Sequence, residues 1–157
     1  MISTEILRRY PLFAGQDMEM LKQLANLAYE KEVEVNKWLF FDGEVAKTLY
    51  VLMDGNLDLM MDVGELGQQQ IEKITPLIEG QVIGWEALVA PHIYTLGAQV
   101  VEKSHLIAFD GLELRQLLDE NPVSGYHLMK KLAEEISHRL ASKCTQLMSL
   151  MVERKII

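Results

Sequence analysis

The stretch "LFFDGEVAKTLYVLMDGNLDLMM", residues 39–61, carries the signals that decide the fold class. Leu57, Leu59 and Met61 alternate with Asp58 and Met60, the period-two pattern of a half-buried strand. Asp54-Gly55-Asn56 stands between two such runs and reads as a hairpin turn, because Asp-Gly favours tight two-residue connections. Outward from this stretch, "NKWLFFDGE" and "HLIAFDG" have the same character: short, aromatic or branched, and bounded by Gly. Gly43, Gly55, Gly64, Gly67, Gly80 and Gly84 punctuate the zone at intervals that suit an antiparallel barrel or jelly roll. Residues 31–110 are therefore expected to form a β-roll of about eight strands.

The flanks change period. Leu21, Leu24, Leu27 and Ala28 recur at spacings of three and four after the capping candidate Asp17, so residues 1–30 read as helical. Leu112, Leu114, Leu117 and Leu118 begin a second helical zone, which Asn121-Pro122 interrupts. From Val123 onward there is no Pro and only one Gly, Gly125. A single helix there reaches about 50 Å at 1.5 Å per residue, more than a roll of this size can cover. Ala133, Ile136, Leu140, Leu147 and Leu150 keep a spacing close to a heptad. This points to a homodimer through that helix, with Ile136, Leu140 and Leu147 in the seam. The fold class is α+β: one domain over 1–157, with N-terminal helices, a jelly-roll-like β-roll (a double-stranded β-helix) over 31–110, and C-terminal helices over 111–157.

Composition narrows the function. An apolar fraction of 49% suits a packed chain of 157 residues, and no apolar run reaches the length that spans a bilayer. "MISTEILRRYPLF" has no signal-peptide pattern, so a cytoplasmic location is expected, with no membrane association. The single cysteine, Cys144, excludes an internal disulfide and any multi-cysteine metal site within one chain. It reads as a buried, inert thiol near the helix seam. A net charge of −8 argues against direct nucleic-acid binding.

Longer matches then converge on one family. "LRRYPLFAGQDMEMLKQLA" resembles the opening of a cyclic-nucleotide-binding domain, where a short helix and a Pro-Leu-Phe turn precede a second helix. "LFFDGEVAKTLYVLMDGNLDLMM" is similar to that family's strand pair, and "EGQVIGWEAL" to the approach to its phosphate-binding cassette. "HLIAFDGLELRQLLDENP" and "HRL" are similar to its last strand, the helix that follows and its long C-terminal helix. The elements stand in the right order over residues 6–150. The family includes catabolite-activator-type regulators and the regulatory subunits of cyclic-nucleotide-dependent kinases. The resemblance implies a non-enzymatic regulatory domain with a small-molecule site, and no catalytic residues are expected.

The family's cassette reads approximately Gly-Glu-Leu-Ala-Leu, four variable residues, then Pro-Arg. Its Glu holds the ribose hydroxyl and its Arg the cyclic phosphate. Laid on this chain without a gap, Gly84, Ala87 and Leu88 match. Trp85 takes the Glu position, Glu86 falls one place later, and Ile93-Tyr94 replaces Pro-Arg with Pro91 two places early. Both polar anchors are missing. Tyr94 offers one neutral hydrogen bond, worth about 1 kcal/mol net, against a charge-assisted and often bidentate Arg–phosphate pair. Nothing in the cassette supplies a positive charge. Cyclic nucleotide is therefore disfavoured as the ligand, whose identity stays unknown. The candidate ligand residues are Gly84, Trp85, Glu86, Ala87, Leu88, Tyr94 and Thr95, with Lys143 as the nearest source of charge after the Arg139-Leu140 pair.

Other constellations are weaker. A cupin-type metal site needs closely spaced histidines, and His92, His105, His127 and His138 are scattered. His92 alone, in the cassette loop, is a candidate axial ligand for haem. The family's DNA-binding members add a helix-turn-helix after the long helix, which these residues do not supply. Two functions remain in view. One is a stand-alone regulatory sensor domain for a non-standard ligand. The other is a ligand-free dimerisation module, or a regulatory fragment of a larger transcription regulator.

Overall fold

In the computed structural model, which describes residues 2–65 and 67–156 (side chains to Arg154), the chain opens with two helices held by side-chain caps. Ser3 caps α1 (Thr4–Arg8), and Asp17 caps α2 (Met18–Leu27) by accepting from the Met20 amide at 2.8 Å. Between them Pro11–Phe13 makes one 3₁₀ turn that buries Leu12 and Phe13. The Phe13 ring meets Phe109 at 5.5 Å, so this turn ties the N-terminal helices to the sheet.

Six strands follow among the described residues: β1 (Tyr29–Val33), β2 (Trp38–Phe40), β3 (Thr48–Asp62), β4 (Ile71–Leu77), β5 (Val82–Ile83) and β6 (Gly97–Asp110). All pairings are antiparallel, in the order β1-β6-β3-β4, with β2 also on β6 and β5 also on β3. The jelly-roll-like α+β architecture matches the expectation, but the strand count is lower. The reason lies at Asp54-Gly55-Asn56, which is not a hairpin turn. The 15-residue β3 runs straight through it, paired along its length with the 14-residue β6. The register slips around Asp54 and Asn56, as expected of a bulge that bends both strands together.

Gly55 sits at φ +109°, and a Cβ there would lie 2.3 Å from Ser104 Oγ and 2.6 Å from Ser104 Cα. Buried Ser104 then completes the bulge, donating to Glu102 O at 2.7 Å and accepting from the Asn56 amide at 3.1 Å. The true β3–β4 connection is the loop over residues 63–70. There Asp62 Oδ1 accepts from the Gly64 and Gln70 amides.

Asp110 caps α3 (Gly111–Glu120), and Pro122 opens α4 (Pro122–Ile156), a helix of 35 residues. Leu128 and Leu132 of α4 are buried with Leu114 and Leu118 of α3 in the one apolar core. Gly125 lets the two helices cross closely, since a Cβ there would lie 2.8 Å from Leu118 O. Beyond Lys143 the helix leaves the domain, and every side chain from Cys144 to Arg154 is exposed. Cys144 is thus exposed in the isolated chain, where the domain itself does not bury the thiol. The helix runs on for more than three turns past the domain surface.

Replacing Gly55 by Ala should destabilise the domain by roughly 2–4 kcal/mol, combining a left-handed backbone penalty with a clash against Ser104. Denaturant unfolding checks this, through a lower midpoint at unchanged slope.

Candidate cassette site

The cassette begins where β5 ends. Gly84 adopts φ +76° and faces Thr48 O and the Tyr94 ring, at 2.9 and 3.0 Å from where a Cβ would stand. A side chain has no room there. The chain then makes a 3₁₀ turn over Trp85–Ala87, whose end Arg115 of α3 holds by donating to Ala87 O. A loop with a cis Ala90–Pro91 bond leads to a bridge between Ile93 and Val45 and on to Tyr94.

Tyr94 takes the place expected of the phosphate-binding Arg and turns into the wall of the roll. Its ring stacks on Phe40 at 3.7 Å and 9°, and it is buried. Its hydroxyl donates to Thr48 O at 2.7 Å and accepts from Thr48 N at 3.2 Å. That hydroxyl ties the cassette loop to the start of β3. Burial drives the phenol well above its ordinary pKa, partly offset by the backbone bond at Thr48.

Glu86 is likewise engaged. Its Oε1 accepts from Thr95 Oγ1 at 2.6 Å and from Thr95 N at 3.1 Å, closing the loop on itself. Thr95 thus positions Glu86. His92 holds the same loop from inside, with Nδ1 2.9 Å from Glu86 O. The ring that was a candidate axial ligand serves as a backbone clamp.

The positive charge comes from the long helix. Arg139 of α4 reaches under the cassette, where Nη2 donates to Val82 O at 2.8 Å and to Glu135 Oε1 at 2.7 Å. The same Glu135 oxygen accepts from Val82 N at 2.7 Å. One helical ion pair therefore satisfies both backbone groups of Val82. The guanidinium carbon stands 5.0 Å from the centre of the Trp85 ring, a cation–π stack. Burial pulls the Arg139 pKa down and Glu135 opposes it, and an Arg stays charged in either case.

In the sequence Arg139 stands out only as half of the Arg-Leu pair. The buried face of α4 could have found it, because Leu128, Leu132, Glu135 and Arg139 follow one another at spacings of four, three and four. Lys143, the residue proposed for this task, lies one turn farther on. Its Nζ donates to Ile74 O at 2.9 Å and to Gln146 Oε1 at 3.0 Å, outside the cassette.

Very little space remains under the cassette. The cavity there is about 10 Å³, walled by Phe40, Leu59, Ile83 and Leu96 and covered by Trp85 and Arg139. It holds one water at most. Of the predicted ligand residues, Gly84, Trp85 and Glu86 border it. Ala87 packs at Gly111, Tyr94 braces the wall, and Thr95 and Lys143 are engaged elsewhere. A larger groove of about 860 Å³ opens on the far side of Arg139, between Tyr10, Met53, Gly80 and the Lys131–Lys143 face of α4. Arg139 stands between the closed cavity and this open groove.

A roll with a glycine-led 3₁₀ cassette, closed by a long C-terminal helix, agrees with what a family profile finds. Residues 30–121 match the cyclic nucleotide-binding domain. The chain belongs to that family. A crystal structure of a putative cyclic nucleotide-binding protein from Geobacter metallireducens superposes with a TM-score of 0.79 at 27% identity, over 89% of this chain and 99% of that one. A cyclic nucleotide-binding domain from Methylobacillus flagellatus superposes at 0.78 with 16% identity, over 93% and 80% of the two chains. The Thermus thermophilus catabolite activator protein gives 0.70 at 23% identity, over 90% of this chain and 63% of that one. These last two speak to the fold. Curated relatives include an uncharacterised NTE family protein of Mycobacterium tuberculosis, 21% identical over 137 residues. The chain spans 22% of that protein's length. No helix among the described residues is long and apolar enough to cross a membrane.

Replacing Tyr94 by Phe removes the brace at Thr48 and should cost about 1–3 kcal/mol of stability near neutral pH. Because the folded phenol titrates above its unfolded value of about 10, the wild type should lose stability as pH rises through and beyond that value. The loss should be shallower in the variant, with Tyr50 and Tyr10, also raised, accounting for the remainder. Unfolding curves between neutral and strongly alkaline pH test both statements.

Proposed function

We propose that this chain is a regulatory domain that couples a remodelled cassette to a homodimeric long helix through Arg139, and that it does not hold cyclic nucleotide. The observation that carries this is the Arg139 stack on Trp85. The cassette and the long helix meet at this contact. Here one side chain from each already clasps the other across the mouth of the pocket. A ligand that disturbs Trp85 necessarily disturbs Arg139, and with it the register of Glu135 against Val82. A cyclic phosphate would meet neither a cassette Arg nor room for its ribose.

The dimer is supported by the outer face of α4. Leu140 and Leu147 are 63% and 58% exposed, and Cys144 and Met151 continue the same stripe at spacings of four and three. Ile136, the third seam candidate, is half-buried against the domain core and so borders the seam from the inside. Leu147, Met148, Leu150, Met151 and Val152 are all exposed on the last described turns, an apolar surface that a second helix would cover. A second reading, a ligand-free dimerisation module, is favoured by the cavity of about 10 Å³. Under either reading the chain acts as a non-catalytic regulatory part. The mycobacterial relatives, of which it spans a minor share, make such a part of a larger protein a natural setting.

Titration calorimetry with cyclic AMP and cyclic GMP should show no binding tighter than the high micromolar range. Dissociation constants in the low micromolar range or below would overturn the reading. Sedimentation should show a dimer at micromolar concentration, and Leu140→Glu, which places like charges in the seam, should give monomers with an almost unchanged melting temperature of the roll. A wild-type monomer, or a dimer that survives the substitution, would remove the long helix from the account.

A further inference from the structure

The Arg139 guanidinium is incompletely satisfied. Nη2 serves Val82 and Glu135, while Nε and Nη1 are buried and meet no acceptor among the described residues. Buried donors without acceptors are uncommon in folded proteins and mark a place where something binds or moves. These belong to a residue that borders a pocket with apolar walls, Phe40, Leu59, Ile83 and Leu96, and whose remaining lid is the half-buried indole of Trp85.

The charge balance decides what could satisfy them. Arg139 already pairs with Glu135 at 2.7 Å. Glu86, a second carboxylate, borders the same pocket, and its Oε1 is held by Thr95. One guanidinium against two carboxylates leaves this neighbourhood short of positive charge. An incoming anion would be desolvated there and gain no net Coulomb attraction. What the site lacks is a hydrogen-bond acceptor, not a negative charge.

Resting on the reading of the cassette as a coupled pocket, we propose that its ligand is a small uncharged molecule with an apolar body and a carbonyl-type acceptor. Trp85 is the internal plug. When its indole swings outward, the vacated space is apolar and of aromatic size, and the acceptor receives the free Arg139 donors. The ligand then stands where the indole stood, and the clasp between cassette and long helix passes from Trp85 to the ligand. The side of Arg139 away from the pocket faces the groove of about 860 Å³, so the guanidinium has space into which to relax during exchange. This chemistry differs from that of an anionic nucleotide at both ends. The charged phosphate is replaced by a neutral acceptor, and the ribose contact by apolar packing.

Three probes of matched shape separate the possibilities: benzylacetone as the neutral ketone, hydrocinnamate as its anionic counterpart, and butylbenzene without any acceptor. A Trp38→Phe background leaves Trp85 as the sole indole, and its emission reports displacement of the plug. Benzylacetone should shift that emission saturably and bind about ten-fold or more tightly than either other probe. Trp85→Ala, followed by calorimetry, should tighten benzylacetone because no plug has to leave. Trp85→Leu does the same with a smaller cavity, should the Ala variant fold poorly. Arg139→Gln should abolish the preference for ketone over hydrocarbon.

Hydrocinnamate binding as well as benzylacetone would make the site an anion receptor and overturn the proposal. So would equal binding of butylbenzene, which would show that Arg139 makes no contact. Binding of no probe by the wild type or by either Trp85 variant would mean that the plug is permanent structure. That last result, with the dimer and the cyclic-nucleotide titrations unchanged, would sink this inference alone and leave the ligand-free reading of the domain.

Discussion

The ion pair of Arg139 with Glu135, locked onto the two backbone groups of Val82, is the contact on which the arrangement of this domain turns. Val82 lies on a strand of only two residues, β5, which the sheet ladder alone holds weakly. Its amide and carbonyl would otherwise end inside the protein without partners. The long helix supplies both partners from one turn. Because the same guanidinium also lies against Trp85, the helix, the short strand and the cassette form one mechanical unit. A charge pair of this kind, largely removed from water, contributes less to net stability than to fixing one geometry.

Around that unit the substitutions in the cassette form a consistent set. A nucleotide pocket has to present polar groups inward, and here those positions face elsewhere. Tyr94 fastens the cassette loop to β2 and β3, stacked on Phe40 and bonded to Thr48. Glu86 and Thr95 bond to each other, and His92 bonds to the Glu86 carbonyl. Trp85 borders the small cavity and lies against Arg139. Each of these side chains makes a contact within the protein, and together the contacts hold the loop in order. Exposed apolar side chains are spread over the roll, and a further run of them, from Leu140 to Val152, follows the outer part of α4.

Much was legible in the amino-acid sequence. Helix caps are local chemistry, and Asp17 announced α2 because its carboxylate finds an amide three residues on whatever else surrounds it. The alternation of Leu57 and Leu59 with Asp58 fixed which face of β3 is buried, since a strand's side chains alternate by geometry. The break at Asn121-Pro122 and the uninterrupted run after it gave the long helix. The missing cassette Arg and Glu were also plain, because they are a matter of residue identity alone.

The tertiary structure decided what depended on partners distant in sequence. Asp54-Gly55-Asn56 has the composition of a hairpin turn, yet it is a bulge, because β6 runs beside β3 on both sides of it and Ser104 fills the space a side chain would need. No local pattern records that neighbour. Lys143 and Arg139 are both basic residues on one helix, one turn apart, and their sequence surroundings do not rank them. The roll covers Arg139 with the cassette but meets Lys143 only with its edge strand β4. Arg139 therefore lies beneath the cassette, where burial and Trp85 give its charge a role, while Lys143 meets the outer carbonyl of Ile74. Where a side chain's charge counts is set by what covers it, and that is decided only when the helix has packed against the roll.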